Sequence, residues 1–326
     1  MPREIELKFL LDEAGEARWR AALSDLAGAA PTRQALHAIY FDTPDHALAA
    51  RRIALRLRKE GRRWVQTAKI GRAVVAGLSS PREAECPAPG GRLSLDAIPD
   101  PDVRAEVIDA AAGVELVPVC ETVIQRAKAR LSGPHGGTVE AAIDVGEIRA
   151  GGRAAPIREA EIELVAGDAR DVYAVAARLA AGGALRFSRR SKAERGYALA
   201  RGAEAVAATP APVYAAALSL RPSQPVETAA AEVLRSCLDQ IAANAAAAAA
   251  SDAPEGPHQL RVGLRRLRTA FAVFAPAIGG PAADDLDARA RDLAAVAGAV
   301  RDLDVVAEAV DAGAEPRLAA GFAARS

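Results

Sequence analysis

Charged and apolar residues alternate strictly along several stretches of the first 200 positions. The clearest stretch runs from Glu4 to Leu11, where Glu4, Glu6 and Lys8 alternate with apolar residues. Successive side chains of a strand point to opposite faces, so such a strand carries its charges on one face only. Further strands of this kind are predicted at 53–60, 64–69, 82–85, 122–131, 138–148 and 159–164, with one more strand at 38–43. The alternation therefore predicts a sheet with one charged face and one apolar face.

Helical spacing of apolar residues occurs between these strands and dominates the last third of the chain. Helices are predicted at 12–27, 91–112, 168–182, 228–250, 257–275 and about 282–297, and 188–200 is predicted to begin extended and continue as a helix. The proline-containing stretch 203–225 interrupts both patterns and is typical of a linker. We therefore expect an α+β chain, with a β-rich domain at 1–202, a linker at 203–225 and a helical domain at 226–326.

The charged faces of the predicted strands carry rows of a single sign. Acidic rows lie at 4/6, 83/85, 140/144 and 159/161/163, and basic rows lie at 56/58 and 126/128/130. An antiparallel sandwich with its polar face in water also alternates, so a surface ion pair remains the simpler interpretation of any single residue. A closed barrel offers another arrangement, with apolar faces outward under helices and charged faces around a lumen. Because carboxylates bind divalent cations and Arg and Lys bind phosphate, such a lumen indicates a phosphorylated ligand held with a metal.

Composition narrows the possible partners. The chain of 326 residues has 42 basic and 42 acidic side chains, so no net charge attracts nucleic acid or a membrane. Only five of the basic residues are lysine, at positions 8, 59, 69, 128 and 192. The three cysteines have neither metal-ligand spacing nor a disulfide pattern, and the chain shows no basic leader and no run of 18 apolar residues. These features predict a soluble cytoplasmic protein, without nucleic-acid or membrane partners, and leave its oligomeric state open.

Eight segments, in chain order, resemble the CYTH family, also called triphosphate tunnel metalloenzymes. They are EIELK at 4–8, YFDT at 40–43, LRLRKE at 55–60, the strand that carries Thr67 and Lys69, REAE at 82–85, AIDVG at 142–146, EAEIEL at 159–164 and SKAERGY at 191–197. The ordered set over roughly 1–202 is far more specific than a lone ExExK. The resemblance implies an eight-stranded antiparallel tunnel that binds a triphosphate with Mg²⁺ or Mn²⁺. Its members hydrolyse inorganic triphosphate, hydrolyse thiamine triphosphate or cyclise ATP.

The resemblance also implies roles for individual residues. Metal ligands are expected among six acidic residues: Glu4, Glu6, Asp144, Glu159, Glu161 and Glu163. Phosphate-binding residues are expected at Lys8, Arg56, Arg58, Lys69, Arg126 and Lys192, whereas Arg130 and Lys128 are placed by strand parity alone. Glu83 and Glu85 complete the acidic wall. The residue that moves a proton is not identified, and Lys8, Glu83 and Glu85 are the candidates.

The helical region resembles the first half of a CHAD domain, through HQLRVGLRRLR at 258–268 and VRDLDVV at 300–306. The resemblance implies an α-helical module that binds polyphosphate. Usual members hold two helical bundles, and this chain contains about one, so we expect the polyphosphate site to be incomplete. We call one set of residues, spaced by three and four positions, the basic stripe: His258, Arg261, Arg265 and Arg268. A solvated cationic face explains the same spacing.

The function expected from the sequence is metal-dependent hydrolysis of inorganic triphosphate to pyrophosphate and phosphate. One alternative is a nucleotide or thiamine triphosphate enzyme on the same fold, including a class IV-type adenylyl cyclase. Another is a polyphosphate-binding module without turnover. The acidic rows argue against the last, because a pure anion binder gains nothing from so many carboxylates unless a cation is held.

Overall fold

The protein is described by a computed structural model that covers residues 4–71, 74, 77–180, 186–202 and 210–311. The chain separates into two compact units, Met1–Ala207 and Ala208–Ser326. The residues at 312–326, which belong to the predicted helical domain, lie outside the described part, as do those at 203–209 of the predicted linker.

The first unit is built from long strands with five helices. Its strands are β1 Glu6–Leu10, β2 Thr32–Asp42, β3 Ile53–Glu60, β4 Arg63–Ile70, β5 Leu78–Ser79, β6 Arg82–Pro87, β7 Val117–Ser132, β8 Thr138–Ala150, β9 Arg153–Ala166 and β10 Arg186–Phe187. Its helices are α1 Glu13–Ala27, α2 Ala47–Ala50, α3 Pro101–Ala111, α4 Arg170–Leu179 and α5 Lys192–Ala200. The helix predicted at 91–112 is shorter, and the 3₁₀ turns Pro89–Gly91 and Leu95–Ala97 precede it.

In the described part of this unit, all strands join one antiparallel sheet in the order β10-β1-β9-β8-β7-β2-β3-β4-β6, with β5 also paired to β1. Eight of them have five residues or more, while β5 and β10 have two residues each. Strand β5 pairs with β1 and strand β6 pairs with β4, yet only Ser80 and Pro81 separate β5 from β6. The two ends of the sheet are therefore brought together, and the sheet curls round a lumen. This confirms the predicted α+β fold with an antiparallel tunnel.

The apolar face of the sheet lies outward beneath helices. Phe9 of β1 packs on Trp19 of α1, with ring centroids 5.2 Å apart. Val172 and Val175 of α4 belong to the same buried cluster. Burying these side chains removes apolar area from water, which stabilises the unit. The charged face is consequently left to line the lumen, as the closed-barrel arrangement requires.

Helix α5 packs on the inner face at one end of the lumen. Its Tyr197 and Leu199 share a buried cluster with Tyr40 and Cys120, which lie on the same face as the charged rows. A capping box between Ser191 and Glu194 begins the helix. The close fit requires glycine at position 196, because a Cβ there would lie 2.3 Å from the Cys120 Sγ. Helix α5 thus fills one end of the lumen and places its first residue, Lys192, in the interior.

The second unit contains three helices within its described residues, α6 Val226–Ala250, α7 Glu255–Ile278 and α8 Pro281–Asp311. The third is longer than the predicted 282–297. Leu260, Leu264 and Leu267 of α7 form the core with residues of α6 and α8, as their spacing predicts. Gly263 permits close packing, since a Cβ there would lie 3.0 Å from Cγ1 of Ile241. Across the described residues of the chain, no helix is both long enough and apolar enough to cross a membrane.

Candidate active site

The curled sheet encloses a cavity of about 660 Å³ whose lining is dominated by charge. Its basic lining residues are Lys8, Arg52, Arg56, Arg58, Lys69, Arg126, Lys128 and Lys192. Its acidic lining residues are Glu4, Glu6, Glu60, Glu83, Glu85, Glu140, Glu161, Glu163 and Glu194. So many charges around one small volume are costly unless they pair with one another or with a ligand.

Strand register brings distant charges side by side. Lys8 of β1 lies opposite Glu161 of β9, and Glu6 lies opposite Glu163. In the same way, Asp144 of β8 lies between Arg126 of β7 and Glu159 of β9. Because directly opposed residues of antiparallel strands project from the same face, each of these groups faces the interior.

A deep ion-pair network surrounds Asp144, Glu159 and Glu161. The Lys192 Nζ lies 2.8 Å from Asp144 Oδ2 and 2.8 Å from Glu161 Oε1, and it also contacts Glu159. Arg126 donates from Nε to Asp144 Oδ1 at 2.7 Å and from Nη2 to Asp144 Oδ2 at 2.6 Å. The same Nη2 donates to Glu161 Oε2 at 2.6 Å. Lys192 and Arg126 are thereby fixed by buried carboxylates.

This network keeps Asp144 and Glu161 ionised. Burial disfavours the charged form of Glu161, but Lys192, Lys8 and Arg126 outweigh it and hold the pKa of Glu161 well below its usual value. Asp144 behaves in the same way, because Lys192 and Arg126 overcome burial and lower its pKa. Burial also opposes the charge of Lys8, yet Glu161 and Glu6 raise its pKa above the ordinary lysine value. All of these groups are charged at neutral pH.

A second group of carboxylates carries an excess of negative charge. We call it the acidic cluster: Glu4, Glu6, Glu83 and Glu163. Lys69 Nζ lies 2.7 Å from Glu4 Oε2 and 2.9 Å from Glu83 Oε2. Burial, with Glu4, Glu6 and Glu83 nearby, raises the pKa of Glu163 to about 7. Lys8 Nζ also lies 2.8 Å from Glu6 Oε1, so the four carboxylates outnumber the two ammonium groups that contact them, and an added cation would be stabilised here.

Arg56 and Arg58 form the basic wall on β3. Arg56 Nη2 lies 4.0 Å from both Glu83 Oε1 and Glu85 Oε1, while Arg58 Nη2 lies 2.6 Å from Glu60 Oε1 and 3.4 Å from Glu85 Oε1. The Nε atoms of both arginines are buried and have no hydrogen-bond partner among the described residues. A buried donor without a partner costs free energy, so each is suited to an incoming acceptor such as a phosphate oxygen.

The structure brings together most residues expected from the sequence, but at different depths. Asp144 and Glu159 lie behind the cavity lining, with 0% and 1% of their surfaces exposed. Arg130 is exposed and does not line the cavity. The sequence patterns did not single out two residues of this site, Arg195 and Tyr40. Spacing could have identified both, because Arg195 follows Lys192 by three positions on one helix, and Tyr40 shares the face of Arg56 by strand register.

The basic stripe of α7 is partly neutralised within the second unit. Arg268 Nε lies 3.1 Å from Asp287 Oδ1 of α8, and Arg261 Nη1 lies 3.8 Å from Asp302 Oδ1. Arg265 is exposed, and His258 is half-buried. Arg266, which the periodicity did not single out, instead donates to Gln240 Oε1 of α6 at 2.6 Å.

Oxygen donors for a hard divalent cation are present at two places in the lumen. Among the described residues, Asp144, Glu159 and Glu161 offer one oxygen each within 4.8 Å of one another. Those oxygens, however, already accept from Arg126, Lys192 and Arg195. The acidic cluster has the opposite balance, with more carboxylates than ammonium groups. The donor set therefore fits Mg²⁺ or Mn²⁺, which prefer carboxylate oxygens.

Two family models match the chain. The family model of the CYTH domain matches residues 2–197, and that of the CHAD domain matches residues 232–325. The chain therefore belongs to the CYTH family, with a CHAD-domain match behind its tunnel unit.

One curated relative is the inorganic triphosphatase of Haemophilus influenzae, 31% identical over 161 residues. The match covers 49% of this chain and 44% of that protein, so the chain spans less than half the length of that relative. Among solved structures, a putative Hippeastrum adenylyl cyclase with a dominant triphosphatase activity matches with TM-score 0.45 and 21% identity, over 62% of this chain and 96% of that one. The mimivirus capping-enzyme triphosphatase matches with TM-score 0.30 and 12% identity, over 54% and 88%.

Proposed function

We propose that the tunnel unit hydrolyses inorganic triphosphate to pyrophosphate and phosphate with the help of Mg²⁺ or Mn²⁺. The observation that carries the proposal is the cavity itself, whose inner face holds basic and acidic side chains from seven of the ten strands described. A short polyanion with several oxygens can contact many of these cations at once. The Haemophilus influenzae relative, named an inorganic triphosphatase, supports the choice of substrate over the part of its length that matches.

The chain's own contribution to catalysis is positioning and charge neutralisation. In this proposal Arg56, Arg58, Lys69, Arg126 and Lys192 bind phosphate oxygens. Phosphoryl transfer depends mainly on such fixed charges, since negative charge must be stabilised as the bond to the leaving group breaks. Lys8 acts with them as a cation, because its raised pKa keeps its proton at neutral pH. That removes Lys8 from the candidate bases and leaves Glu83 and Glu85 as proton acceptors for the attacking water.

The acidic cluster is the proposed place for the metal. Glu4, Glu6 and Glu163 would hold it, and all three line the cavity. A bound divalent cation supplies charge for the phosphate oxygens and a lowered pKa for water. The surplus of carboxylates around Lys69 supports this placement.

The second unit is proposed to bind longer phosphate chains through the basic stripe. Arg265 is exposed, and its neighbours Arg261 and Arg268 lie along the same helix. Their partial pairing with α8 means that a chain would have to compete with Asp287 and Asp302. We also propose a cytoplasmic protein, without nucleic-acid or membrane partners, because the cysteines are free and the formal net charge is zero.

A phosphate-release panel tests the proposal. The full chain is incubated with triphosphate, ATP, thiamine triphosphate or long-chain polyphosphate, with Mg²⁺, with Mn²⁺ or with EDTA. We expect one phosphate per triphosphate, only with a divalent cation, and little release from the other substrates. Lys8→Gln should abolish this release, whereas Glu147→Gln, a change at a half-buried residue of the same sheet that does not line the cavity, should not. Release that is equal in EDTA, or faster from ATP than from triphosphate, would reject the proposal.

A further inference from the structure

Asp144 and Glu159 are saturated by cations of the chain itself. Both oxygens of Asp144 accept from Arg126, at 2.7 and 2.6 Å, and Oδ2 also lies 2.8 Å from Lys192 Nζ. In Glu159, Oε1 contacts Lys192, and Oε2 accepts from Arg195 Nη1 at 3.2 Å. The side chains of these two acids are 0% and 2% exposed. All four oxygens are therefore occupied, and neither group reaches the cavity surface.

Arg195 links this pair of acids to the placement of helix α5. Its Nη1 meets Glu159, and its Nη2 donates to the backbone oxygen of Pro156 at 2.7 Å. Both of those partners belong to β9, whereas Arg195 and Lys192 lie three positions apart on α5. One buried carboxylate thus holds two cations of the same helix against the sheet.

A divalent cation beside Asp144 and Glu159 would be surrounded by positive charge. Three fixed positive groups, Lys192, Arg126 and Arg195, face the two acids and would repel a divalent cation. To ligate it, Glu159 or Asp144 would have to give up buried ion pairs that hold α5 in place. The acidic cluster has the opposite balance, because its four carboxylates outnumber the two ammonium groups that contact them, Lys69 at Glu4 and Glu83 and Lys8 at Glu6.

We infer that Asp144 and Glu159, completed by Arg195, are positioning residues that seat Lys192 and Arg126 for phosphate binding, and that they are not metal ligands. The inference rests on the proposed function for the nature of the ligand. It divides the acidic residues of the lumen into two groups with different tasks. Carboxylates of the acidic cluster face a cation, and the two deep acids organise the cations that face the phosphate chain.

Binding measurements separate the two groups without requiring turnover. Glu159→Gln and Glu163→Gln make a matched pair, since both are isosteric changes on β9 four positions apart. Mn²⁺ binding to the full chain is followed by the loss of the free-ion electron paramagnetic resonance signal. Triphosphate binding is followed by calorimetry in metal-free buffer. We expect Glu163→Gln to weaken Mn²⁺ binding at least tenfold, while Glu159→Gln and Asp144→Asn change it less than twofold and weaken triphosphate binding at least tenfold.

Arg195 variants test the link to α5. Arg195→Met should weaken triphosphate binding without changing Mn²⁺ binding, and Arg195→Lys should restore part of the loss because one charged contact is kept. The double variant Glu159→Gln/Arg195→Met should lose no more than either single change, as expected for partners in one network. It also covers the case in which a single change leaves an unpaired buried charge and prevents folding.

Two results would overturn the inference. The first is a loss of Mn²⁺ binding in Glu159→Gln or Asp144→Asn as large as that in Glu163→Gln. The second is unchanged triphosphate affinity in the Glu159 and Arg195 variants. If the binding results are as expected but the panel shows no phosphate release, the proposed hydrolysis fails and the division of the carboxylates stands.

Discussion

Two neighbouring residues of β3 face opposite sides of the sheet. Substituting one should lower the stability of the unit, and substituting the other should weaken ligand binding. Leu55 faces outward, is 0% exposed and packs in a cluster with Val103 and Val107 of α3. Arg56, the next residue, faces the lumen. Leu55→Ala should destabilise the unit, and Arg56→Ala should weaken the binding of triphosphate.

The expected sizes follow from the contacts. Truncating a fully buried leucine costs about 2–5 kcal/mol, which lowers the melting temperature of a unit of this size by about 4–20 °C. The acidic neighbours of Arg56 are 4.0 Å away, so losing these weak pairs costs about 1 kcal/mol. A charge-assisted hydrogen bond to phosphate is worth about 1.5–3 kcal/mol, so Arg56→Ala should raise the KM about tenfold to a hundredfold.

Tryptophan fluorescence is a suitable assay because both tryptophans of the chain, Trp19 and Trp64, lie in the tunnel unit. A melt of the full chain therefore reports on that unit without interference from the helical one. The KM for triphosphate is measured on the same samples below the melting range. The reasoning would be refuted if Arg56→Ala lowered the melting temperature as far as Leu55→Ala while its KM stayed unchanged.

Three further predictions concern the metal, the packed helix and the basic stripe. Glu4→Gln should raise the Mg²⁺ or Mn²⁺ concentration needed for half-maximal activity at least tenfold with an unchanged melt; an unaltered metal requirement would contradict its proposed role as a metal ligand. Gly196→Ala should lower stability by about 1–3 kcal/mol and reduce activity, because its Cβ meets the Cys120 Sγ, and the second change Cys120→Ala should restore both. Replacing the three stripe arginines with alanine should reduce retention on immobilised long-chain polyphosphate at low salt, and raising the salt should release the unchanged protein; equal retention would identify the stripe as a solvated face.

Strand alternation predicted which face each charged residue occupies, because the period of two is a local property of the backbone. It did not predict how deeply each charged side chain is buried. Arg126 and Arg130 share a face of β7, yet the first is half-buried within the ion-pair network and the second is exposed near the strand end. Depth depends on how the curled strands are staggered, which no single segment encodes.

Helical periodicity likewise predicted elements but not the contacts between them. It predicted that 188–200 continues into a helix, but not that this helix packs on the charged face of the sheet and holds Glu159 through Arg195. Likewise, the spacing of the basic stripe was visible in the sequence, whereas its acidic partners Asp287 and Asp302 belong to another helix. In both cases the deciding contact joins elements whose relation is set by tertiary packing.

The pairing of the first strand with late parts of the chain affects how the protein is synthesised. Strand β1 pairs with β5, β9 and β10, and the Lys8–Glu161 bond joins residues 153 positions apart. At about 5–20 residues per second, Glu161 is added to the growing chain about 8–30 s after Lys8. During that interval β1 is a nascent strand without its main partner, and such edges invite pairing with other chains. The charges that later serve the lumen protect it meanwhile, because a strand bearing Glu6 and Lys8 is a poor template for aggregation on the ribosome.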